Sequence, residues 1–558
     1  MPTLREVRDL VISREANARP SAFEWPTVGE HFNWAHDWFS PMAAGNPRPG
    51  LVIASRNGNV RTYSFADLDA GSNRLAQWFA SRGVTSGDGV VLMLGNQIEL
   101  WQSMLALIKL GAVIVPTASA VTTVEMADRV DRASVRHIIC NTLDVPRLAE
   151  VASKARVQVL TTDDMVAAES FSVTPVPHPR NHSTDRLLLY FTSGTTSRPK
   201  LVEHTHVSYP VGHLTTVMWL GLRPGDVHLN ISSPGWAKHA YSMFFAPWLA
   251  EATVLAFDYE RFDATGLLAL LTDHQVTSFC APPTVWRMLV KADLGAPRPA
   301  LRELMSAGEP LNSEVIEQVR AAWGLDIRDG YGQTETTILI GNLPGQSLRP
   351  GSMGRVFPGV SMVLVDPVTG QRREDEGELC LDLSDEPVNL MTGYQDDPVR
   401  NAEAMEGGFY HTGDLAFRDV DGYFTFIGRA DDVFKSSDYK VSPFELESVL
   451  VEHPAVQEAA VVPAPDPLRL AVPKAYVALA PGHVANEATA LEILGHARAQ
   501  LPPYLRVRSL EFFDLPKTTS GKIRRTELRA REIELAKAGS RPEGEYRLPS
   551  SAASDGVS

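Results

Sequence analysis

The sequence predicts an α/β fold: a large N-terminal domain of parallel-rich sheets covered by helices, with a β-rich subdomain, followed by a small α+β C-terminal domain. Three observations carry this. Short apolar runs alternate with helix-spaced stretches from Arg61 onward, the pattern of strands buried on both faces. After Gly351 the texture changes to hairpins, alternating at Gly377 to Asp382 and turning at Asp421-Gly422 within Phe409 to Arg429. From about Asp432 to Leu528, a helical stretch at Pro443 to Glu452 precedes strand runs at Ala459 to Pro463 and Lys474 to Leu479. The expected division is 1–430, 431–535 and a Ser/Gly/Pro/Glu-rich tail, 536–558, too polar to fold alone.

The first fifty residues are irregular and aromatic-rich, and Phe32, Trp34, Trp38 and Phe39 mark a segment packed onto the body rather than a free tail. Strands follow at Gly89 to Leu94, Ala112 to Pro116, His137 to Asn141 and Val157 to Leu160, with a helix at Glu99 to Gly111. A further strand at Leu187 to Leu189 leads into a loop, and a helix-like stretch is expected from about His204. The alternation resumes at Val227 to Asn230, Ala252 to Phe257, Val276 to Ala281 and Leu304 to Ala307.

With 558 residues, 44% of them hydrophobic, the chain can bury a large core and divide into domains. Its 52 basic against 67 acidic residues leave a net charge of −15, which disfavours a general nucleic-acid or anionic-membrane surface. An anionic substrate therefore needs local cations. Cys140, Cys280 and Cys380 are far apart, without metal or redox spacing, and read as buried thiols of a reducing compartment. The start is too charged for a signal peptide, and the apolar stretches are broken by Lys109 or Glu251 before they reach membrane-spanning length. A cytoplasmic protein is expected.

Five motifs carry chemistry. Tyr190 to Lys200 places five hydroxyl side chains around Gly194 and a lysine behind a proline, able to turn N–H groups, hydroxyls and one cation toward phosphate. It lacks the second glycine of a Walker loop and is, taken alone, also a plain Ser/Thr-rich turn. Asp329 to Thr336 sets Glu335 beyond a Gly-bracketed tyrosine, where a carboxylate can hold Mg²⁺ against phosphate or merely begin a helix. Tyr410 to Leu415 puts Asp414 in a turn able to accept ribose hydroxyls, although Gly-Asp turns are common. Phe426 to Asp432 stands at a texture boundary and is equally a linker. Leu515 to Arg525 is a basic loop whose Lys522 is, by residue-type habit, solvated.

In this order and at these separations, the five motifs resemble the adenylate-forming superfamily of acyl-CoA synthetases, luciferases and peptide-synthetase adenylation domains. The likeness runs from about residue 30 to 530 and is nearest the medium-chain acyl-CoA synthetases, through Phe32 to Ala35, Pro234 to Lys238 and Ser442 to Glu445. The resemblance implies an ATP-dependent carboxylate:CoA ligase, using ATP, Mg²⁺ and CoA and a mobile C-terminal lid. By the resemblance, Thr192, Ser193, Gly194, Thr195, Thr196 and Lys200 hold phosphates. Gly308, Glu309 and Pro310 with Asp329, Gly330 and Tyr331 form the adenine slot, while Asp414 and Arg429 hold the ribose. Glu335 binds Mg²⁺, and Lys522 bridges the carboxylate and α-phosphate in adenylation. Trp236, Gly332, Gln333 and Thr334 lie near the acyl group of a medium-chain, branched or aryl acid. Asp431 is the hinge; Ser437, Asp438, Tyr439 and Lys440 face the CoA channel. Two positions depart from the family pattern: Ser197 replaces a loop glycine, and Asp438 replaces a glycine beside pantetheine. His204, His206 and His239 are structural, because the attacking carboxylate needs no general base. Loading of a carrier protein's phosphopantetheine, a catalytically silent nucleotide-binding protein and luciferase-like oxidation are the competing readings.

Overall fold

A computed structural model describes residues 1–55, 57–192, 199–259, 262–309, 311–436, 439–466, 469–518 and 522–548. The described residues form three larger sheets before residue 430 and two smaller ones after it. The first sheet centres on the parallel strands Arg186–Thr192, Val113–Pro116, Gly89–Met93, Val135–Cys140 and Gln158–Thr161. The second aligns Ile327–Gly332, Glu303–Ala307, Ser278–Ala281, Val227–Asn230, Thr253–Asp258 and Pro49–Ser55 in parallel. Their strands are short and almost wholly buried, as a sheet covered on both faces requires. The third sheet is antiparallel and includes Glu376–Asp382, Phe409–Arg418 and Phe424–Arg429.

The helices show why a charged residue can lie in an apolar stretch. Ile98–Leu110 is buried on nearly every side and ends where Gly111 adopts φ 70°. Lys109 is nevertheless fully buried because its ammonium reaches Asp69 Oδ1 (2.7 Å), Ser72 Oγ (2.8 Å) and Asn73 Oδ1 (2.7 Å) on the facing helix Phe65–Ser81. The aromatic N-terminal segment packs as expected: Trp34 and Phe39 are buried, and Trp34 lies 5.5 Å from Phe244 and 5.1 Å from Phe245.

Two expectations are corrected here. The stretch at His204 is not a helix: Lys200–Thr205 is a strand antiparallel to Arg186–Thr192, with Thr192 opposite Lys200. Four of its six residues are buried, with only Lys200 and Glu203 partly exposed, and the helix begins only at Leu214. The tail 536–558 is also partly ordered. Helix Arg525–Lys537 runs past residue 535, and Glu545–Tyr546 adds a strand beside Ser509–Phe512. Lys474 explains the strand: this buried ammonium lies within 3.0 Å of Glu511, 2.7 Å of Glu532 and 3.0 Å of Glu545. Composition shows the polarity of the tail but not the buried cation that recruits its carboxylate. Residues 549–558 lie outside the described residues.

After residue 430, Pro443–Val451 packs beside the hairpin of Val456–Asp466 and Leu470–Leu479. A short hairpin, Phe434–Ser436 with Tyr439–Val441, precedes it.

Candidate active site

The three larger sheets each send one edge to a common place. From the second comes a hairpin: Ile327–Gly332 turns at residues 333–336 and returns antiparallel as Ile338–Gly341. Glu335 therefore sits in a hairpin turn, and the alternative of a helix start is set aside. Gly332 is required by the return, since a Cβ there would lie 2.1 Å from the Thr337 carbonyl oxygen. This close approach gives Gly332 a structural reason besides its expected place in the acyl pocket.

The third sheet brings Asp414 opposite Arg429 on paired strands. Asp414 is buried and accepts three hydrogen bonds from the side chains around it. Tyr331 Oη donates to Oδ2 at 2.6 Å, Gln333 Nε2 to Oδ2 at 2.6 Å and Arg429 Nη1 to Oδ1 at 3.1 Å. Burial raises the Asp414 pKa above the ordinary carboxylate value, opposed by the Arg429 cation and these donors. Gly413 before it has φ 72°, and a Cβ there would meet the Arg429 guanidinium at 2.6 Å. Gln333 is fixed at both ends, since Tyr410 Oη donates to its Oε1 at 2.9 Å.

The first sheet contributes Lys200. Its ammonium lies 3.1 Å from Tyr394 Oη and 3.7 Å from Glu335 Oε1, and Tyr394 Oη donates to that same oxygen at 3.0 Å. Glu335 is thus a buried carboxylate held beside a cation at the mouth of the loop. It supplies the hard oxygen that Mg²⁺ prefers, with phosphates and water completing the shell, so its chemistry fits that ion. Thr192 opens the same loop; Ser193, Gly194, Thr195, Thr196 and Ser197, and with them the expected strain at Ser197, lie outside the described residues.

The adenine-slot candidates lie at neighbouring strand ends. Ala307, just before Gly308, pairs with Gly330, at the carboxyl ends of parallel strands where open α/β sheets bind ligands. Gly308 has φ 104°; Glu309 is exposed, and Pro310 lies outside the described residues. Asp329 is buried, and desolvation raises its pKa to about 7 against the opposing Gly330 and Leu311 N–H groups. Trp219 Nε1 donates to the Asp329 carbonyl oxygen at 3.2 Å, and its indole leaves no room for a Cβ on Gly330.

Thr334 is positioned by His204, whose Nε2 donates to its carbonyl oxygen at 2.7 Å while Nδ1 accepts from Ser208 Oγ at 3.0 Å. Burial lowers the His204 pKa to about 4, so the ring is neutral near pH 7. His206 and His239 are likewise buried with lowered pKa values. Trp236 caps the helix Ala237–Ala240 and packs against the apolar cluster that contains Phe191 and Leu201.

Lys522 has no described contact with these groups. It lies on a loop closed by its own backbone, where Thr518 N donates to its carbonyl oxygen at 2.8 Å, and its side chain is exposed. Among the described residues, no hydrogen bond or ion pair joins it to Glu335 or Asp414. At the boundary, Arg529 Nη1 donates to the Asp431 carbonyl oxygen at 3.0 Å and pairs with Asp432. Lys440 lies 3.4 Å from Glu376, and Tyr439 stacks on Tyr504 at 4.7 Å. Ser437 and Asp438 lie outside the described residues.

Sequence reasoning missed Tyr394, Tyr410, Lys238 and the positioning role of His204. Tyr410 and Lys238 stood within recognised motifs without a role; Lys238 is half-buried and donates to the Ala307 carbonyl oxygen at 2.9 Å. Tyr394 carried no local signal.

Two buried carboxylates, Asp414 and Glu335, and a lysine at a loop mouth thus meet on covered α/β sheets followed by a small α+β unit. Residues 43–395 match the AMP-binding enzyme family and residues 445–522 its C-terminal domain, and the chain belongs to that family. It is 41% identical over 529 residues to 4-hydroxybutyrate–CoA ligase 1 of Metallosphaera sedula, covering 92% of this chain and 93% of that protein. A mitochondrial acyl-coenzyme A synthetase of Homo sapiens is 37% identical over 533 residues, covering 90% of each chain. The crystal structure of the anthranilate CoA ligase AuaEII with anthranoyl-AMP superposes with a TM-score of 0.81 at 28% identity, covering 93% of this chain and 100% of that one.

Proposed function

We propose that the chain is an AMP-forming acid–thiol ligase: a carboxylate attacks the α-phosphorus of ATP, pyrophosphate leaves, and the CoA thiol displaces AMP from the acyl-adenylate. The observation that carries this is the pairing of two part-buried sets, Asp414 with Arg429, Tyr331 and Gln333, and Glu335 with Lys200, the turn at residues 333–336 supplying both Gln333 and Glu335. In this reading Asp414 accepts ribose. Its carboxylate offers about four acceptor sites, three of them taken by donors from the chain. One ribose hydroxyl can bind directly, and a second displaces Tyr331 or Gln333.

Glu335 would hold Mg²⁺, which when bound neutralises charge on the phosphate oxygens. Lys200 and the hydroxyl loop would hold the outer phosphates, and the Gly308 and Gly330 strand ends would flank adenine. Lys522 would reach the α-phosphate only when the C-terminal unit turns about Asp431; fixed cations aimed at developing charge are the main catalytic lever when two anions react. After adenylation the opposite turn would present Tyr439 and Lys440 to CoA. Thr334, held through its carbonyl by neutral His204, stands beside Glu335 at the reacting end.

The acid is a medium-chain, branched or aryl carboxylate. Relatives named for 4-hydroxybutyrate and anthranilate support an acid of modest size, and their names, which specify CoA, favour CoA over a carrier thiol as acceptor. Among the described residues no helix is long and apolar enough to cross a membrane, and the three cysteines are free and buried. These thiols suit a reducing compartment, and we place the protein in the cytoplasm, a placement that fractionation tests.

The test is incubation with ATP, Mg²⁺ and a panel of acids, following pyrophosphate release and thioester formation with and without CoA. Adenylation followed by CoA thioester is expected for at least one acid class. Release of pyrophosphate without any CoA thioester would instead support a carrier acceptor, and no release with any acid would support the silent reading.

A further inference from the structure

Behind the ribose carboxylate, on the other side of the Gly413 turn, lies a set of groups that the ligase chemistry does not use. Cys380 and His411 are directly opposed on the antiparallel strands Glu376–Asp382 and Phe409–Arg418, and Glu378, two residues before Cys380, shares its face. His411 Nδ1 lies 2.9 Å from Glu378 Oε2 and 3.5 Å from Cys380 Sγ. The donor atoms of these three side chains all lie within 4.8 Å of one another. His411 Nε2 faces the Glu406 carbonyl oxygen at 3.3 Å, the outer contact that fixes a metal-binding imidazole with its other nitrogen free for the ion.

We infer that Glu378, Cys380 and His411 form a binding site for a borderline-soft divalent cation of the Zn²⁺ class, and that its occupancy weakens ATP binding. A thiolate, an imidazole and one carboxylate are a zinc-type donor set, whereas Mg²⁺ takes oxygens. In a tetrahedral zinc centre the sulfur–nitrogen edge is about 3.5 Å and the nitrogen–oxygen edge about 3.4 Å, from ordinary bond lengths. The Cys380–His411 pair already has the first spacing, at 3.5 Å. The His411–Glu378 pair, at 2.9 Å, must open by roughly half an ångström for the second. Binding releases the Cys380 thiol proton to solvent, while His411 binds through Nδ1 as the neutral ring, its proton on Nε2 toward the Glu406 carbonyl. The His411 side chain, 24% exposed, is the path of entry, and water completes the shell.

The coupling to ATP follows from the other carboxylate oxygen. Gly413 N donates to Glu378 Oε1 at 2.8 Å, and Gly413 directly precedes Asp414. A Glu378 drawn toward a metal therefore pulls the turn that presents the ribose carboxylate. This second step rests on the reading of Asp414 given above; the first does not.

Titrating the full-length, nucleotide-free protein with Co²⁺ separates the two. The expected result is one equivalent bound with a thiolate-to-cobalt charge-transfer band, bleached by Zn²⁺, absent in Cys380→Ser and at least about tenfold weaker in affinity in His411→Gln. No band, or a band that survives Cys380→Ser, would overturn the site, since the thiolate would then be absent or supplied by Cys140 or Cys280. With the site established, buffered free Zn²⁺ under excess Mg²⁺ is expected to raise KM for ATP several-fold in the wild type and not in Cys380→Ser. An unchanged KM at full occupancy would overturn the coupling while leaving the site standing. If Cys380→Ser fails to fold, His411→Gln, changed at a partly exposed position, decides the same question.

Discussion

The Asp414 side of the candidate site and its Lys522 side differ in how they are held. Asp414, Arg429, Tyr331, Gln333 and Tyr410 are bound to one another by side-chain hydrogen bonds of 2.6 to 3.1 Å, from strands in two sheets. Lys522 stands exposed on a loop of the small C-terminal unit, with no described hydrogen bond or ion pair to them. A group that must serve both half-reactions can be built in place, whereas a group needed in only one can be carried on a movable element. Pre-organisation costs nothing at the moment of reaction, and mobility lets the CoA step use a different face of the same site.

Substitutions can break this comparison at either end. The largest effect is expected from Lys522→Ala, which should lower pyrophosphate exchange by about 100- to 1000-fold while sparing thioester formation from supplied acyl-adenylate. Equal loss in both assays would make Lys522 part of the fixed site. Asp414→Asn should raise KM for ATP by about 10- to 100-fold, the scale of a lost charge-assisted hydrogen bond. Binding of the acid should change little, and a comparable loss for acid would show that the network holds more than the nucleotide.

The smallest effect on activity concerns His204. Its pKa falls to about 4 in the fold, below the ordinary 6.5, because burial disfavours the cation. The unfolded chain therefore takes up a proton first on acidification, and stability that is complete above about pH 6.5 declines toward pH 4, by on the order of 3 kcal/mol for this ring. His204→Asn should flatten that decline in thermal melts across the window, and also lower kcat through the Thr334 carbonyl. Parallel pH profiles for variant and wild type would exclude His204 as a source of the acid sensitivity.

That Asp414 and Glu335 are candidate site residues was legible in the sequence because they sit in compact turns, Asp414 after Gly413 and Glu335 after Gly330-Tyr331-Gly332, where spacing and residue type carry the signal together; that Asp414 meets Tyr331 and Gln333 is what the structure adds. Tyr394 was not legible: it reaches Lys200 and Glu335 only because its short strand pairs with Lys200–Thr205. His204 lay in a stretch read as helical, and what makes it a strand is its pairing with Arg186–Thr192, since its own burial does not alternate. The Glu545 strand was hidden for a different reason. A polar tail reads as disorder unless the buried Lys474 that pairs with Glu545, about seventy residues earlier, is known to lie beside it. Pairings between distant strands leave no local pattern.

The measurement that tests the account most directly is a single-turnover comparison of Asp431→Pro with the wild type. Proline at the boundary restricts the backbone rotation on which an alternating lid depends. The account predicts that acyl-adenylate forms at close to the wild-type rate and accumulates, with CoA transfer lost. Equal loss of both steps, or retention of both, would contradict a site whose fixed half serves two reactions and whose lysine serves one.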